Sequence, residues 1–301
     1  MEKRKIYFPN LNSLRFIAAL MVIIHHVEQF KSIYQIDNYW SDLAFIKSIG
    51  KLGVLLFFVL SGFLITYLLV SEESNFNKID IYKFYIRRVL RIWPLYFLIL
   101  ILAFFILPQF DFFIVPDFND DTLKTNHLLR LILYVFFLPN LSLSFQSPVT
   151  YASQAWSIGT EEQFYLIWPI FIRFMKRQRL FFMFFIVFAY WVIYILLSSS
   201  YANLIPCSKL LRYFWRVFNI DCMAIGGIFA LLSFYNSSWL KWLTLNSVFY
   251  ASIATVLLLI LSDFYIMYVH YQFFSALFGI IILNLATNKN IKIQLENIYF
   301  N

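Results

Sequence analysis

The chain has 301 residues, of which 61% are apolar, 22% aromatic and only 13% charged. A water-soluble domain carries roughly twice that charged fraction, so most of the solvent around this molecule is lipid. The net charge of +8 does not point to nucleic acid, because Lys and Arg cluster at the ends of apolar runs, as the positive-inside rule describes.

In hydrocarbon every backbone N–H and C=O must be satisfied within the structure, which leaves helices or closed barrels. The apolar runs are continuous over about 17 to 22 residues, a helical span, and lack the alternating ten-residue pattern of barrel strands. The predicted fold is therefore an all-α polytopic membrane bundle of about 8 to 10 spans. No polar stretch of domain length interrupts it, so residues 1–301 read as one membrane domain without a soluble module.

In chain order the candidate spans are Leu11 to Phe30, Leu52 to Val70 and Ile92 to Leu107, then Leu128 to Leu143 and Phe164 to Met175. Leu180 to Leu197, Cys222 to Tyr235, Val248 to Leu261 and Tyr271 to Ala286 follow. Three basic clusters read as cytoplasmic: Lys3, Arg4 and Lys5; Lys83, Arg87, Arg88 and Arg91; and Arg173, Lys176, Arg177 and Arg179. Asp111, Asp117, Asp120 and Asp121 read as external, and Lys289 and Lys292 as internal. These assignments need an even number of crossings, so one run is expected to be re-entrant. The best candidate lies between Leu128 and Met175, where Pro139, Pro148, Gly159, Glu161 and Glu162 interrupt the hydrophobicity. The first run holds Arg15, His25 and His26 and has no small-residue cleavage site, so it reads as a retained helix rather than a signal peptide.

That first run carries the sharpest chemical signal. Arg15 and His26 are eleven residues apart, which puts them within roughly 20° of one helix face and about 16 Å apart along the axis. Asn12 joins the stripe. An ionisable side chain inside a membrane is costly and by default suggests function, whereas a structural hydrogen bond to a neighbouring helix is the alternative; spacing leaves both open. His25 points about 100° away and is the weaker candidate. With Arg15 near one interface, His26 is expected deeper in the membrane.

Arg88 and Arg91, three residues apart, share a face at the start of the third span. They read either as a topology anchor or as a clamp for a phosphate-bearing donor, which guanidinium groups match bidentately. Glu161 and Glu162 precede an apolar run and suit a helix N-terminus, yet two carboxylates beside lipid are expensive unless paired. One of them is a candidate for orienting the histidine, as a carboxylate does in many acyl-transfer sites. Arg216 and Asp221 precede Gly226 and Gly227 and read as an ion pair joining helices or as part of a site. Small residues within Gly53 to Phe63 predict close helix packing. Cys207 and Cys222 have no metal-ligand spacing, so no metal is expected.

Four segments, LNSLRFIAALMVIIHH, GVLLFFVLSGFLITYLL, FYIRRVLRIWPLYFL and WSIGTEEQFYLIWPIF, in this order, resemble the membrane-bound acyltransferase 3 family. These enzymes O-acylate surface polysaccharides and related acceptors, and the match covers roughly the first 175 residues. A looser likeness runs through RVFNIDCMAIGGIFALL. The resemblance implies that His26 is the essential histidine, Arg15 its partner, and Arg88 with Arg91 the arginines facing acyl-CoA. It places Glu161 and Glu162 in the family's WSxxxEEQFY-like segment. It implies a donor, acyl-CoA or more narrowly acetyl-CoA, a glycan acceptor, a lipid setting in a bacterial inner membrane and a cytoplasmic N-terminus. Leu55 stands where many members have an acid, and no role is transferred there. The family continues with a further span beyond the point matching Asn301, so a C-terminal truncation is expected. A transporter or polysaccharide exporter is the rival reading, and a non-catalytic scaffold a third.

Overall fold

The computed structural model describes residues 8, 10–113, 115–116, 126–262, 264–288 and 290–291. Lys3, Arg4, Lys5, Asp117, Asp120, Asp121, Lys289 and Lys292 lie outside the described residues. Among the described residues all regular structure is helical. The longer helices are α1 (Leu11–Ile33), α2 (Ala44–Phe76), α3 (Ile81–Ile101), α4 (His127–Val135), α5 (Ala155–Phe174) and α6 (Arg179–Ser198). They are followed by α7 (Ser208–Phe218), α8 (Ile220–Phe234), α9 (Asn246–Leu261) and α10 (His270–Thr287).

Among the described residues six stretches are long and apolar enough to cross a membrane: Leu11–Ile33, Ala44–Phe76, Ile81–Gln109, Arg179–Ser198, Ser208–Phe234 and His270–Thr287. The apolar α9 is shorter. The run expected between Leu128 and Leu143 is not one helix. It breaks after α4 at Phe137, whose backbone φ is positive, and resumes as one turn over Pro139–Ser142. At 1.5 Å per residue, α4 extends only about 14 Å, less than half a bilayer core. The break thus falls in the stretch where prolines and acids interrupt the apolar pattern.

Helix α2 is the axle of the bundle. Most of its apolar residues are buried, Leu55, Phe58, Val59 and Phe63 completely. It crosses α8 almost backbone to backbone: a Cβ on Gly62 would lie 1.9 Å from the Met223 carbonyl oxygen, and one on Gly226 would lie 2.1 Å from that of Val59. Against α1, a Cβ on Gly53 would meet the Ala18 carbonyl at 2.7 Å. The small residues within Gly53 to Phe63 therefore do what their spacing predicts: they let helices approach where dispersion, not water exclusion, holds a membrane bundle together.

Ion pairs tie one end of the bundle. Near the end of α2, Glu73 accepts from Arg179 and pairs with Lys176 at 2.7 Å, and Glu72 lies 3.7 Å from Arg87. Asp80 caps α3 by accepting from the Lys83 backbone N–H at 3.1 Å, and that bond together with the Lys83 ammonium holds its carboxyl below the usual aspartate range. The opposite end carries the starts of α2 and α10 and the end of α9.

Candidate active site

The packing of α1 on α2 fixes the depth of every sequence-predicted group. Ala18, Met21 and Val22 face Gly53, and His25 covers Gly50, so the antiparallel register brings Arg15 level with the middle of α2, near Ser61. His26 lies near the start of α2. The sequence expectation put Arg15 near an interface and His26 deeper; relative to α2, Arg15 stands beside the middle of the helix and His26 beside its start. The reason is that α2 runs on for several turns beyond the start of α1, which the sequence of α1 cannot reveal.

At the level of Ser61 four helices converge. Glu161 of α5 accepts hydrogen bonds from Ser61 Oγ (3.2 Å) and the Tyr165 hydroxyl (3.0 Å), one on each carboxylate oxygen. The Tyr165 hydroxyl also lies 3.4 Å from Ser61 Oγ. The Arg88 guanidinium sits over the Tyr165 ring, 5.4 Å from its centroid, and over Phe84 at 5.5 Å. Arg15 lies within electrostatic range of Arg88, Arg91, Glu161 and Tyr165, and its Nη1 donates to Asn12 Oδ1 at 2.7 Å. Asn12 and Arg15 thus share the predicted stripe.

Glu162 points elsewhere. Its Oε2 accepts from the Trp93 indole N–H at 3.2 Å, and its buried Oε1 has no hydrogen-bond partner among the described residues. Gln163, on the next face of α5, donates to the Phe137 carbonyl and exchanges hydrogen bonds with Asn140, fixing α5 to the broken segment. Gly159 seats Pro139 there: a Cβ would come within 2.7 Å of the proline ring.

His26 stands apart from this cluster. It lines a cleft of about 600 Å³ with Lys31, Tyr34, Tyr151 and Gln154. Its Nδ1 is 3.1 Å from Gln29 Oε1, a contact that the Nδ1–H tautomer makes by donating, with Nε2 then the basic nitrogen. Neither glutamate reaches it. Gln154, which shares the cleft, precedes Glu161 by seven residues, about 10 Å along α5. The carboxylate expected to orient the histidine instead lies among the arginines. His25 is bound up in packing, with Nδ1 2.9 Å from the Ile46 carbonyl oxygen and its ring 5.1 Å from Trp40.

The structure therefore brings together Arg15, Arg88, Arg91 and Glu161, sets Glu162 beside them against Trp93, and leaves His26 about 16 Å along α1 from Arg15. Sequence reasoning missed Ser61 and Tyr165 as partners of Glu161. Tyr165 follows Glu161 by four residues on α5, a spacing that signals a shared face; the Ser61 contact joins residues 100 apart and had no local signal. The predicted pairing of Arg216 with Asp221 is not what forms. Asp221 accepts from Gln272 Nε2 at 2.6 Å, because α10 packs on α8 at this point.

Residues 8–299 match the family described as an acyltransferase domain. The chain belongs to this acyltransferase 3 family. Among family relatives, the putative peptidoglycan O-acetyltransferase YrhL of Bacillus subtilis is 31% identical over 166 residues, 55% of this chain and 24% of that protein. The O-acetyltransferase OatA of Staphylococcus aureus is 33% identical over 177 residues, 57% of this chain and 26% of that protein. The peptidoglycan O-acetyltransferase OatA of Listeria monocytogenes is 28% identical over 178 residues, 58% and 26% respectively. The match thus spans about a quarter of the length of these curated relatives. No solved structure matches the chain significantly. Family membership and the spanning helices together make it a multi-pass membrane protein.

Proposed function

We propose that the chain is an O-acetyltransferase that moves the acetyl group of acetyl-CoA to a hydroxyl of a cell-envelope glycan such as peptidoglycan. The observation that carries this reading is the gathering of Arg15 and Arg88, from two helices, beside Glu161, with the exposed Arg91 within electrostatic range of both arginines. Three guanidinium groups against two carboxylates leave a positive surplus in a low-dielectric setting, which an anionic ligand relieves. The phosphates of acyl-CoA supply that charge, and the pantetheine arm then carries the thioester toward His26.

At His26 the free Nε2 takes the proton of the acceptor hydroxyl as its oxygen attacks the thioester carbonyl. The C–O bond forms, the C–S bond breaks, and the imidazolium returns the proton to the departing thiolate. Attack by Nε2 itself, giving an acyl-imidazole that the hydroxyl then opens, is the alternative order of the same bonds. Glu161, locked by Ser61 and Tyr165, is a positioning residue that holds Arg15 and Arg88 as the local counter-charge. Glu162 offers its unpartnered oxygen as an acceptor beside the donor. The basic end faces the cytoplasm in this reading, the N-terminus included, and the His26 cleft faces outward. The test is transfer of isotope-labelled acetyl from acetyl-CoA to soluble peptidoglycan fragments by the reconstituted chain; thioester hydrolysis or no turnover in a folded, donor-binding preparation counts against it.

A further inference from the structure

At the end of the bundle away from the Glu72 and Glu73 ion pairs, a second cavity of about 370 Å³ opens between the start of α2, the end of α9 and the start of α10. Lys47, Ser48 and Lys51 face it from one stripe of α2, one turn apart. Leu52, Leu259 and Phe274 form its apolar wall. None of the lining residues is acidic, and among the described residues neither lysine forms an ion pair. Lys51 Nζ donates to Asn219 Oδ1 and lies 3.4 Å from the Arg216 carbonyl, both uncharged acceptors, and stands over the Trp156 ring at 4.3 Å. Asp221, on the packed α8, lies within electrostatic range of Lys51 without an ion pair and accepts from Gln272. The charged and titratable groups facing the cavity are Lys47, Lys51, His270, Tyr265 and Tyr271. His270 Nδ1 accepts from the Ile266 N–H at 3.3 Å, so its Nε2 is a donor.

We propose that this cavity binds an anionic glycerophospholipid, with the phosphate between Lys47 and Lys51 and an acyl chain along Leu52 and Leu259. Four observations carry it. The cavity lies at the ends of spanning helices, where headgroups reside. Tyr265 and Tyr271 supply the aromatic groups that favour that depth. Two lysines that form no ion pair among the described residues provide the charge that basic pockets between membrane helices use for phosphate headgroups. The adjoining face of α9 is lipid-exposed, Leu257, Leu258 and Leu261 being 54%, 64% and 71% accessible, so a lipid enters sideways without crossing water. The site is separate from the His26 cleft, which lies across α2, and stands independently of the acetyl-transfer reading.

Native mass spectrometry of the full chain, delipidated in detergent and titrated with phosphatidylglycerol or phosphatidylcholine, tests it. Phosphatidylglycerol is expected to bind about tenfold more tightly than phosphatidylcholine, and the Lys47→Gln/Lys51→Gln variant is expected to lose that preference. Lys47→Gln alone changes an exposed side chain and leaves folding intact, and its preference should fall severalfold. Equal retention of the two lipids by the wild type, or an undiminished preference in folded Lys47→Gln, overturns the proposal. Glycerol phosphate at millimolar concentration is expected not to displace the lipid. Displacement by that headgroup alone would mean a plain phosphate site without an acyl-chain groove.

Discussion

Around Arg15, α1 meets charged and hydroxyl groups from α2, α3 and α5 that hold one another by hydrogen bonds and ring contacts. Around His26, three turns further on, the same helix borders an open cleft and the histidine hydrogen-bonds to Gln29 on its own helix. The first region is preorganised and charged; the second is roomy and presents an imidazole to an open cleft. That contrast fits a division between holding a donor and doing chemistry on an acceptor, and it explains why the carboxylate is found with the arginines. Guanidinium groups inside a membrane need a counter-charge far more than a neutral imidazole does.

The sharpest way to break the comparison is His26→Ala. Transfer should fall by about three orders of magnitude with the unfolding temperature unchanged, because the side chain is lost from a cleft rather than from packing. Near-normal transfer would move the chemistry out of this region. Gly226→Leu should strike both regions together: a side chain pressed into the Val59 carbonyl separates α8 from α2, and loss of a monodisperse species on size exclusion is the expected result. Arg88→Ala should weaken acetyl-CoA binding about tenfold to a hundredfold in a titration, the loss of one charge-assisted contact. An unchanged affinity would reduce Arg88 to a topology anchor.

Smaller effects sharpen the same contrast. Glu161→Gln preserves the acceptor for Ser61 but removes the negative charge beside Arg15 and Arg88, and should lower the unfolding temperature by a few degrees, about 1 kcal/mol. No change would mean that the arginines find their counter-charge elsewhere. The smallest effect belongs to Asp80, remote from both regions. Its folded carboxyl is held below the ordinary value, so it stabilises above that value and the benefit disappears as pH falls through the folded one. A thermal-melt difference between wild type and Asp80→Ala should therefore be present at neutral pH and vanish in strong acid.

Much of this was legible in the chain. The eleven-residue spacing placed Arg15 and His26 on one stripe, the small residues of α2 announced the close crossings, and the prolines and acids near Pro139 marked where a span would fail. Depth was not legible, because it depends on how far α2 overruns α1, a register set by Gly50 and Gly53 against side chains elsewhere in sequence. For the same reason the choice between Glu161 and Glu162 as a partner for His26 stays open in the sequence: composition says that a membrane carboxylate needs a partner, but only packing says which one. The pairing of Asp221 failed similarly, since Gln272 lies 51 residues away and arrives on α10.

The division between the two regions is tested most directly by titrating acetyl-CoA into His26→Ala and Arg88→Ala side by side, with transfer measured on the same samples. The account predicts that His26→Ala binds the donor like wild type and transfers nothing, while Arg88→Ala loses donor affinity. Loss of donor binding in folded His26→Ala together with normal binding in Arg88→Ala would contradict it.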